Sequence, residues 1–550
     1  MSMADQKKTD LLIVGAGPAG LSCAITAKKE YPKLKVCVVD KSPFAGGHNL
    51  SGASLACKPI ENLLNMTVKD WQKTPIVKDA LGDKFTADHI YMISDKSGIN
   101  LTSTLRVAKK THFLSADPFS SGNYAVSITK LTRLLACIAK NLGVELLWNL
   151  AVEDMEYNGC GVVGIRAVDH SDKNKKDSLE RPDCGMIINA DFIVLSEGCD
   201  GFVTEKFISR NGLVRKQEPI FSIGVKQVVN VSSNQYKAFG VSSFMKLMGY
   251  PFWRPLRGPS ILGYSAIYPA GTNRLAVVAV TSLDWKYADL SPRNILELIK
   301  EHPIVSKFTV GGEVVENGLK MMPQGGYNSI PFEPDKLSIG KENVVIIGDS
   351  ASLFSVRRQK GIGNAIISGM SAGVAIGNIN NKHQFADQYT KILQSNGLLS
   401  DIRKTSHYRQ LASRAGVGAG VVMGSLVSVL PFKPARSDRK AMTGLKYNYE
   451  PSSVMPDELF IKKAGIVKND SEGHVFIKDL DICKWDCMRT YDCPCLKFCP
   501  SGAFEKVLEH IQPKSSPDCF HCKTCYRKCP YENIGWTMPP AGTGPRYHFL

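Results

Sequence analysis

Nine of the chain's 16 cysteines fall between Cys483 and Leu550. They form two runs, Cys483-x3-Cys487-x5-Cys493-x-Cys495-x3-Cys499-Pro500 and Cys519-x2-Cys522-x2-Cys525-x3-Cys529-Pro530. Thiolates at these intervals hold cubane iron–sulfur clusters. Clustered thiols also build disulfide frameworks, but those belong to small secreted domains, and the start MSMADQKKTD carries no apolar signal-peptide core. A structural zinc takes four ligands; four cysteines within 11 positions, with five more upstream, fit two cubanes better. In two-cluster domains three cysteines of each run hold one cluster, and the Cys-Pro cysteine crosses to the other. Cys519, Cys522, Cys525 and Cys499 are therefore predicted to hold one [4Fe-4S] cluster, and Cys483, Cys487, Cys495 and Cys529 the second. The upstream run has one thiol too many. The x3 interval before Cys499 selects Cys495 and leaves Cys493 spare, with the opposite choice still open.

A second constellation opens the chain. LLIVGAGPAG reads as a buried strand, then Gly15-x-Gly17-x-x-Gly20 leading a helix to about Glu30, then the strand VCVVD ending at Asp40. Gly15 permits a tight turn, Gly17 lets amides approach a pyrophosphate, and Gly20 allows close helix–strand packing. The helix N-terminus favours phosphate, and Asp40 is placed for a ribose hydroxyl. FAD rather than a nicotinamide is argued by NVVIIGDSAS (343–352), a strand ending in Gly348-Asp349, and by Gly361-Ile362-Gly363-Asn364 at a helix start. Asp349 would accept a bond from the ribityl chain, and the 361–364 amides would face the flavin pyrimidine edge. ADFIVLSEGCDG (190–201) brings Glu197-Gly198 toward the same cofactor. Ala16, Ala19, Lys41, Val152 and Ile362 complete the predicted neighbours.

Elements must hold these groups in place. The expected class is α/β (α+β), with a Rossmann-like FAD domain from 1–215 and 335–400. A β-rich domain (216–334) is inserted into it, and a helical, membrane-contacting segment (401–450) and a ferredoxin-like domain (451–550) follow. Apolar content of 43% and charged content of 22% are ordinary for a globular protein. The net charge of +17 favours an acidic partner or an anionic membrane surface. Nucleic acid is the weakest partner class, because no nucleic-acid-binding motif appears. No stretch reaches the roughly 20 apolar residues of a span. Two segments suit one leaflet. Ala415–Phe432 is uncharged and bracketed by Arg409, Arg414, Lys433, Arg436, Arg439 and Lys440. The other places Phe244, Met245, Met248, Tyr250, Phe252 and Trp253 beside Lys246, Arg254 and Arg257, as in an interfacial belt.

The segments VGAGPAGLSCAI, GGHNLSGASLACKP, SGNYAV, LSEGCDG, GGYNSIPF and FHCKTC…NIGWTMPPAGTGPRY resemble the electron-transfer flavoprotein:quinone oxidoreductase family, in order, from about residue 10 to 550. The resemblance implies FAD, an iron–sulfur cluster, attachment to one membrane leaflet, and electron flow from the heterodimeric electron-transfer flavoprotein to quinone. It also implies that Gly15, Gly17, Gly20 and Asp40 bind the adenosine diphosphate moiety. By the same resemblance Ser51, Gly52 and Ala53 approach the flavin, Gly348, Asp349, Gly361 and Gly363 complete the site, and His48 lies near it. This chain departs from the family in carrying Cys529 where the mitochondrial enzymes have aspartate, in its added upstream cysteine run, and in Ser127 where an arginine is usual. The implied location is monotopic, on the cytoplasmic face. Two alternatives compete: a geranylgeranyl-reductase-like enzyme saturating prenyl double bonds, and a ferredoxin-like relay with a vestigial flavin site.

Overall fold

The computed structural model describes residues 6–550 except 52–53, 112–116, 160, 170–185, 254–257, 357, 360, 405, 407, 416–436, 468–472, 509 and 515–517. Gly52, Ala53, Arg254, Arg257, Lys433, Arg436 and nearly all of the 415–432 segment thus lie outside the described residues.

Strand Gln6–Val14 is central to the first sheet. It pairs in parallel with Val36–Val39 on one side and Met186–Leu195 on the other, and the sheet continues to Glu145–Leu147 and Val344–Ile346. These strands read as continuous apolar runs because both faces are covered; Leu11, Leu12, Ile13, Val39, Ile193 and Leu195 are fully buried. Helix Pro18–Glu30 makes the first crossover. It packs on helix Ile362–Ala375 so closely that a Cβ on Gly369 would lie 2.1 Å from the Ala19 carbonyl oxygen.

The second sheet runs Glu313–Pro323, Phe221–Asn230, Arg274–Ser282, Gly263–Pro269, Ser243–Gly249, Ala87–Ile93, Gly98–Asn100. Five strands come from residues 221–323, and two come from the first hundred residues, Ala87–Ile93 pairing in parallel with Ser243–Gly249. Strand Phe221–Asn230 is buried on both faces until its last residue. Helix Pro292–Glu301 covers one face through Ile295, Leu296 and Ile299, all fully buried. The opposite face turns to the cofactor half.

This packing corrects one expectation. Phe244, Met245 and Phe252 are buried rather than at a membrane face, because their segment is an interior strand and the turn after it. Trp253 is the exception, 54% exposed. No helix among the described residues is long and apolar enough to cross a membrane.

The C-terminal module carries Cys483, Cys487, Cys495 and Cys525 on short helices, Ile482–Cys487, Cys495–Phe498 and Thr524–Lys528, and its other cysteines in the turns beside them. Two small two-stranded sheets brace them, Val475–Ile477 with Ile534–Trp536 and Phe504–Val507 with His510–Pro513.

Candidate functional site

The glycine turn is tight for a steric reason. Gly15 has φ +105°, and a Cβ there would lie 2.4 Å from the Ser196 carbonyl oxygen. A Cβ on Gly20 would meet the Gly15 oxygen at 2.1 Å. Ser196 locks the turn from the neighbouring strand, its hydroxyl donating to the Val14 and Gly15 carbonyls at 2.8 and 2.7 Å. Gly17 caps the following helix without any side-chain hydrogen bond, so its first amides are available to an anion. The Asp40 carboxylate accepts from the Ala16 and Ser42 amides, both at 2.7 Å.

A cavity of about 330 Å3 runs from this turn into the molecule, within the usual size of ligand pockets. Gly15, Gly17, Ala19, Asp40, Lys41, His48, Ser51, Val152, Glu197, Gly198, Asp349, Gly361 and Ile362 line it. Ala16, Gly20, Gly348, Gly363 and Asn364 stand behind that lining as scaffold: Gly348 N–H donates to Ser368 Oγ at 3.0 Å, and Asn364 Nδ2 donates to the Leu353 carbonyl at 3.0 Å. The Glu197 carboxylate accepts from the amides of Val203 and Thr204, tying it to the next helix. Ser350 bridges the 198 and 349 loops, accepting from Gly198 N–H at 2.9 Å and donating to its carbonyl at 3.0 Å. Gly361 opens helix Ile362–Ala375, again with no side-chain cap. Two uncapped helix starts and a glycine turn that excludes Cβ atoms fit FAD, with its diphosphate at one end and its flavin ring at the other.

Lysines of the second sheet stand in and behind the inner wall of the pocket, and sequence reading missed them. Lys226, Lys246 and Lys320 rise from the second sheet, with Lys226 only 1% exposed. Lys320 Nζ donates to the His48 carbonyl at 2.9 Å and Lys226 Nζ to the Ser51 carbonyl at 3.3 Å, so both hold the loop between strand Val36–Val39 and helix Cys57–Thr67. Lys246 Nζ donates to Gln359 Oε1 at 2.9 Å. The available signal was an isolated lysine inside an apolar strand, as in SIGVKQVV. Burial pushes Lys226 down to about 7, and burial with the charges of Lys320 and Lys523 brings Lys41 to about 8. Burial raises Asp349 to about 6 despite Lys320. Burial and the nearby Lys41 and Lys320 hold His48 neutral, well below the usual histidine range.

The far end of the cavity reaches the cysteine module through Phe520, His521, Cys522 and Trp536. Beside it, a small enclosed space is lined by Cys499, Cys519, Cys522 and Cys525 together. Burial pushes the Cys525 thiol well up, and Cys499, Cys522 and Cys519 add to that push. The other thiols converge likewise: Asn533 donates from its backbone to Cys529 Sγ at 3.3 Å and from its side chain to Cys483 Sγ at 3.2 Å. Burial raises the Cys495 thiol well above normal, followed by Cys487, Cys493, Cys483 and Cys529. Cys493 stands at the same place, raised to about 11 by burial, Asp492 and Cys483. Buried thiols that repel one another's charge ionise together only around a cationic centre, which fits an iron–sulfur cluster.

The arrangement has known counterparts. The family described as electron transfer flavoprotein-ubiquinone oxidoreductase, 4Fe-4S, matches residues 459–548, and the Thi4 family matches residues 1–82. The chain is 27% identical to the mitochondrial electron transfer flavoprotein-ubiquinone oxidoreductase of Dictyostelium discoideum, over 99% of this chain and 91% of that protein. It is 26% identical to the Pseudomonas aeruginosa protein of that description, over 98% of each. Among solved structures, a geranylgeranyl bacteriochlorophyll reductase-like protein of Thermoplasma acidophilum aligns over 77% of this chain and 96% of its own, with a TM-score of 0.54 and 17% identity. That likeness is one of fold. Fold and site together define a flavoprotein oxidoreductase with FAD and a 4Fe-4S module. More narrowly, the chain is related along nearly its whole length to the electron transfer flavoprotein-ubiquinone oxidoreductases.

Proposed function

We propose that this protein transfers electrons from reduced electron-transfer flavoprotein, a heterodimer, to a membrane quinone, using FAD and two [4Fe-4S] clusters. The observation that carries the reading is one continuous cavity, lined at one end by the glycine turn and at the other by Phe520, His521 and Cys522. When bound, a flavin exchanges electrons singly or in pairs and a cubane one at a time, which suits a converter between one-electron carriers and a two-electron quinone. The chain's own residues bind and orient. Gly15, Gly17 and the helix start behind them receive the diphosphate, and Lys226 and Lys320 fix the 48–51 loop against the flavin position. Phe244, Ala266, Val278, Val280 and Met322 give the sheet side of the cavity an apolar wall for a quinone.

Cys499, Cys519, Cys522 and Cys525 hold the cluster nearer the cavity. Cys483, Cys487, Cys495 and Cys529 hold the farther one, with Cys493 as a non-ligating neighbour. The organisation keeps the domains assigned from the sequence, with 87–100 contributing to the quinone-domain sheet. Attachment is to one leaflet on the cytoplasmic face, through the 415–432 segment and Trp253.

Anaerobically purified protein is expected to carry about eight irons per chain and to reduce a short-chain quinone when given reduced electron-transfer flavoprotein. Cys529→Ala lowers iron toward half, and Cys493→Ser leaves it unchanged. Four irons in the unmodified protein would defeat the two-cluster assignment. Loss of double bonds from a prenyl lipid while quinone stays oxidised would favour the reductase alternative.

A further inference from the structure

Four aromatic rings, His474 buried and His48, His521 and Trp536 partly buried, fill the wall between the flavin cavity and the Cys519–Cys525 loop. His474 meets His521 edge-on, with ring centres 4.8 Å apart, and Trp536 edge-on at 4.7 Å. His521 in turn meets His48 edge-on at 6.1 Å. Five nitrogens in this group are buried with no hydrogen-bond partner: His474 Nδ1 and Nε2, His521 Nδ1, His48 Nε2 and Trp536 Nε1. A buried polar group left without a partner destabilises the fold. So many in one wall mean that their partners are groups the polypeptide does not supply, and the wall lies between two cofactor sites.

His474 has the most specific placement. It is 4% exposed, and neither ring nitrogen is paired, although a neutral imidazole must carry one N–H. Its ligand atom, that of His521 and the Cys519 sulfur all lie within 4.8 Å of one another. Three such atoms resemble a small metal site, but Cys519 also lines the four-thiol space with Cys499, Cys522 and Cys525. The thiol is thus committed to that set, and the imidazoles sit outside it. Trp536 and His521 pack edge-on against the His474 ring and fix its plane.

We propose that His474 donates its N–H to a sulfur of the cluster held at Cys519, the one nearer the flavin, and so raises that cluster's reduction potential. The inference rests on the cluster assignment made above. Hydrogen bonds to cluster sulfurs stabilise the more negative, reduced form. One electron enters, no bond is made or broken, and the donor compensates the added charge. His474 is therefore a positioning and tuning residue that leaves the ligand set intact.

The test uses the full-length protein with its cofactors. Unmodified protein labelled with 15N-histidine is reduced, and nitrogen and exchangeable-proton couplings to the cluster are read by pulsed paramagnetic resonance. A coupled imidazole N–H is expected, and it should vanish in His474→Leu. In that variant iron content holds while one cluster's midpoint falls by about 59 mV, a tenfold change for a one-electron couple. The other cluster's midpoint stays fixed, and His474→Gln, which keeps an N–H, recovers part of the shift. An unchanged midpoint in His474→Leu overturns the proposal, as does an equal shift in the Leu and Gln variants. Should His474→Leu lose its cluster, the labelled unmodified protein decides, and absence of imidazole coupling there is fatal. Iron analysis of unmodified protein keeps the two readings apart: too little iron defeats the cluster assignment and this inference with it, whereas full iron without coupling defeats this inference alone.

Discussion

Asp349 faces the cavity where burial penalises its ionised form and Lys320 favours it; burial wins, and the carboxyl titrates near 6. In the unfolded chain an aspartate titrates near 4. Between those values the folded protein holds a proton that the unfolded chain has released, so stability falls as pH rises. The contribution is fully present below about 4 and lost by about 6. In flavin-free protein, chemical denaturation across this window is expected to show that declining limb, and Asp349→Asn to flatten it. An unaltered limb in the variant would assign the titration elsewhere. Asp349 was legible in the sequence because GDSAS follows a buried strand. Its opposing charge was not, since Lys320 arrives from a strand of the other sheet, and register across sheets leaves no local trace. The same limit applies to Cys493 and Cys495. Spacing ranks them, but both thiols lie beside Cys483 and Cys487, so only the count of bound iron separates their roles.

At the scale of elements, the flavin half was readable because its strands, helix and glycines are contiguous in sequence. The packing of the two long helices was not. Helix Ile362–Ala375 presents Gly369 and Gly373 to the backbone of helix Pro18–Glu30, and Cβ atoms there would lie 2.1 Å from the Ala19 oxygen and 2.9 Å from the Ala27 nitrogen. A glycine inside a helix usually reads as a weakness of about 1 kcal/mol; here it lets two helices approach far enough to place the Gly15–Gly20 turn. Gly369→Ala is therefore expected to push the first helix outward at a cost of about 1–3 kcal/mol. The visible result is a lower flavin-to-protein ratio on purification, with iron content unaffected because the cysteine module is remote from this contact. A normal flavin ratio would show that the turn is positioned by Ser196 alone. The second sheet was foreseen as a β-rich insertion, yet Ala87–Ile93 joins it by parallel pairing across more than 150 residues of chain. Period-2 patterning marks a strand without naming its partner.

At the scale of the whole molecule, the cysteine module shares an apolar core with the second sheet, and an ionic contact adds an anchor to the flavin half. Asp200, in the loop after the Glu197-Gly198 segment, is 1% exposed at its side chain and receives the Arg527 guanidinium in a two-pronged contact. Lys523 lies 3.7 Å away. Both cations flank Cys525, so the loop carrying the proposed cluster ligands is fastened directly to the cofactor domain. Burial pushes the Asp200 carboxyl up, but Lys523 and Arg527 outweigh it and hold it at about 2. It therefore stays ionised at every pH at which the protein works. Removing one partner of a buried pair costs about 3–5 kcal/mol, because the other charge is left without compensation. Asp200→Asn leaves two buried cations facing a neutral amide, and the module is expected to loosen before the flavin domain does. Limited proteolysis should then cut between the two halves of the molecule, at protease levels that leave the unmodified protein whole. Flavin and iron content should stay near normal while transfer between them slows, because distance rather than cofactor loss has changed. If the variant resists protease and its flavin and clusters still equilibrate at the original rate, the ion pair is dispensable. Docking would then rest on apolar contacts such as Trp285 against Phe498.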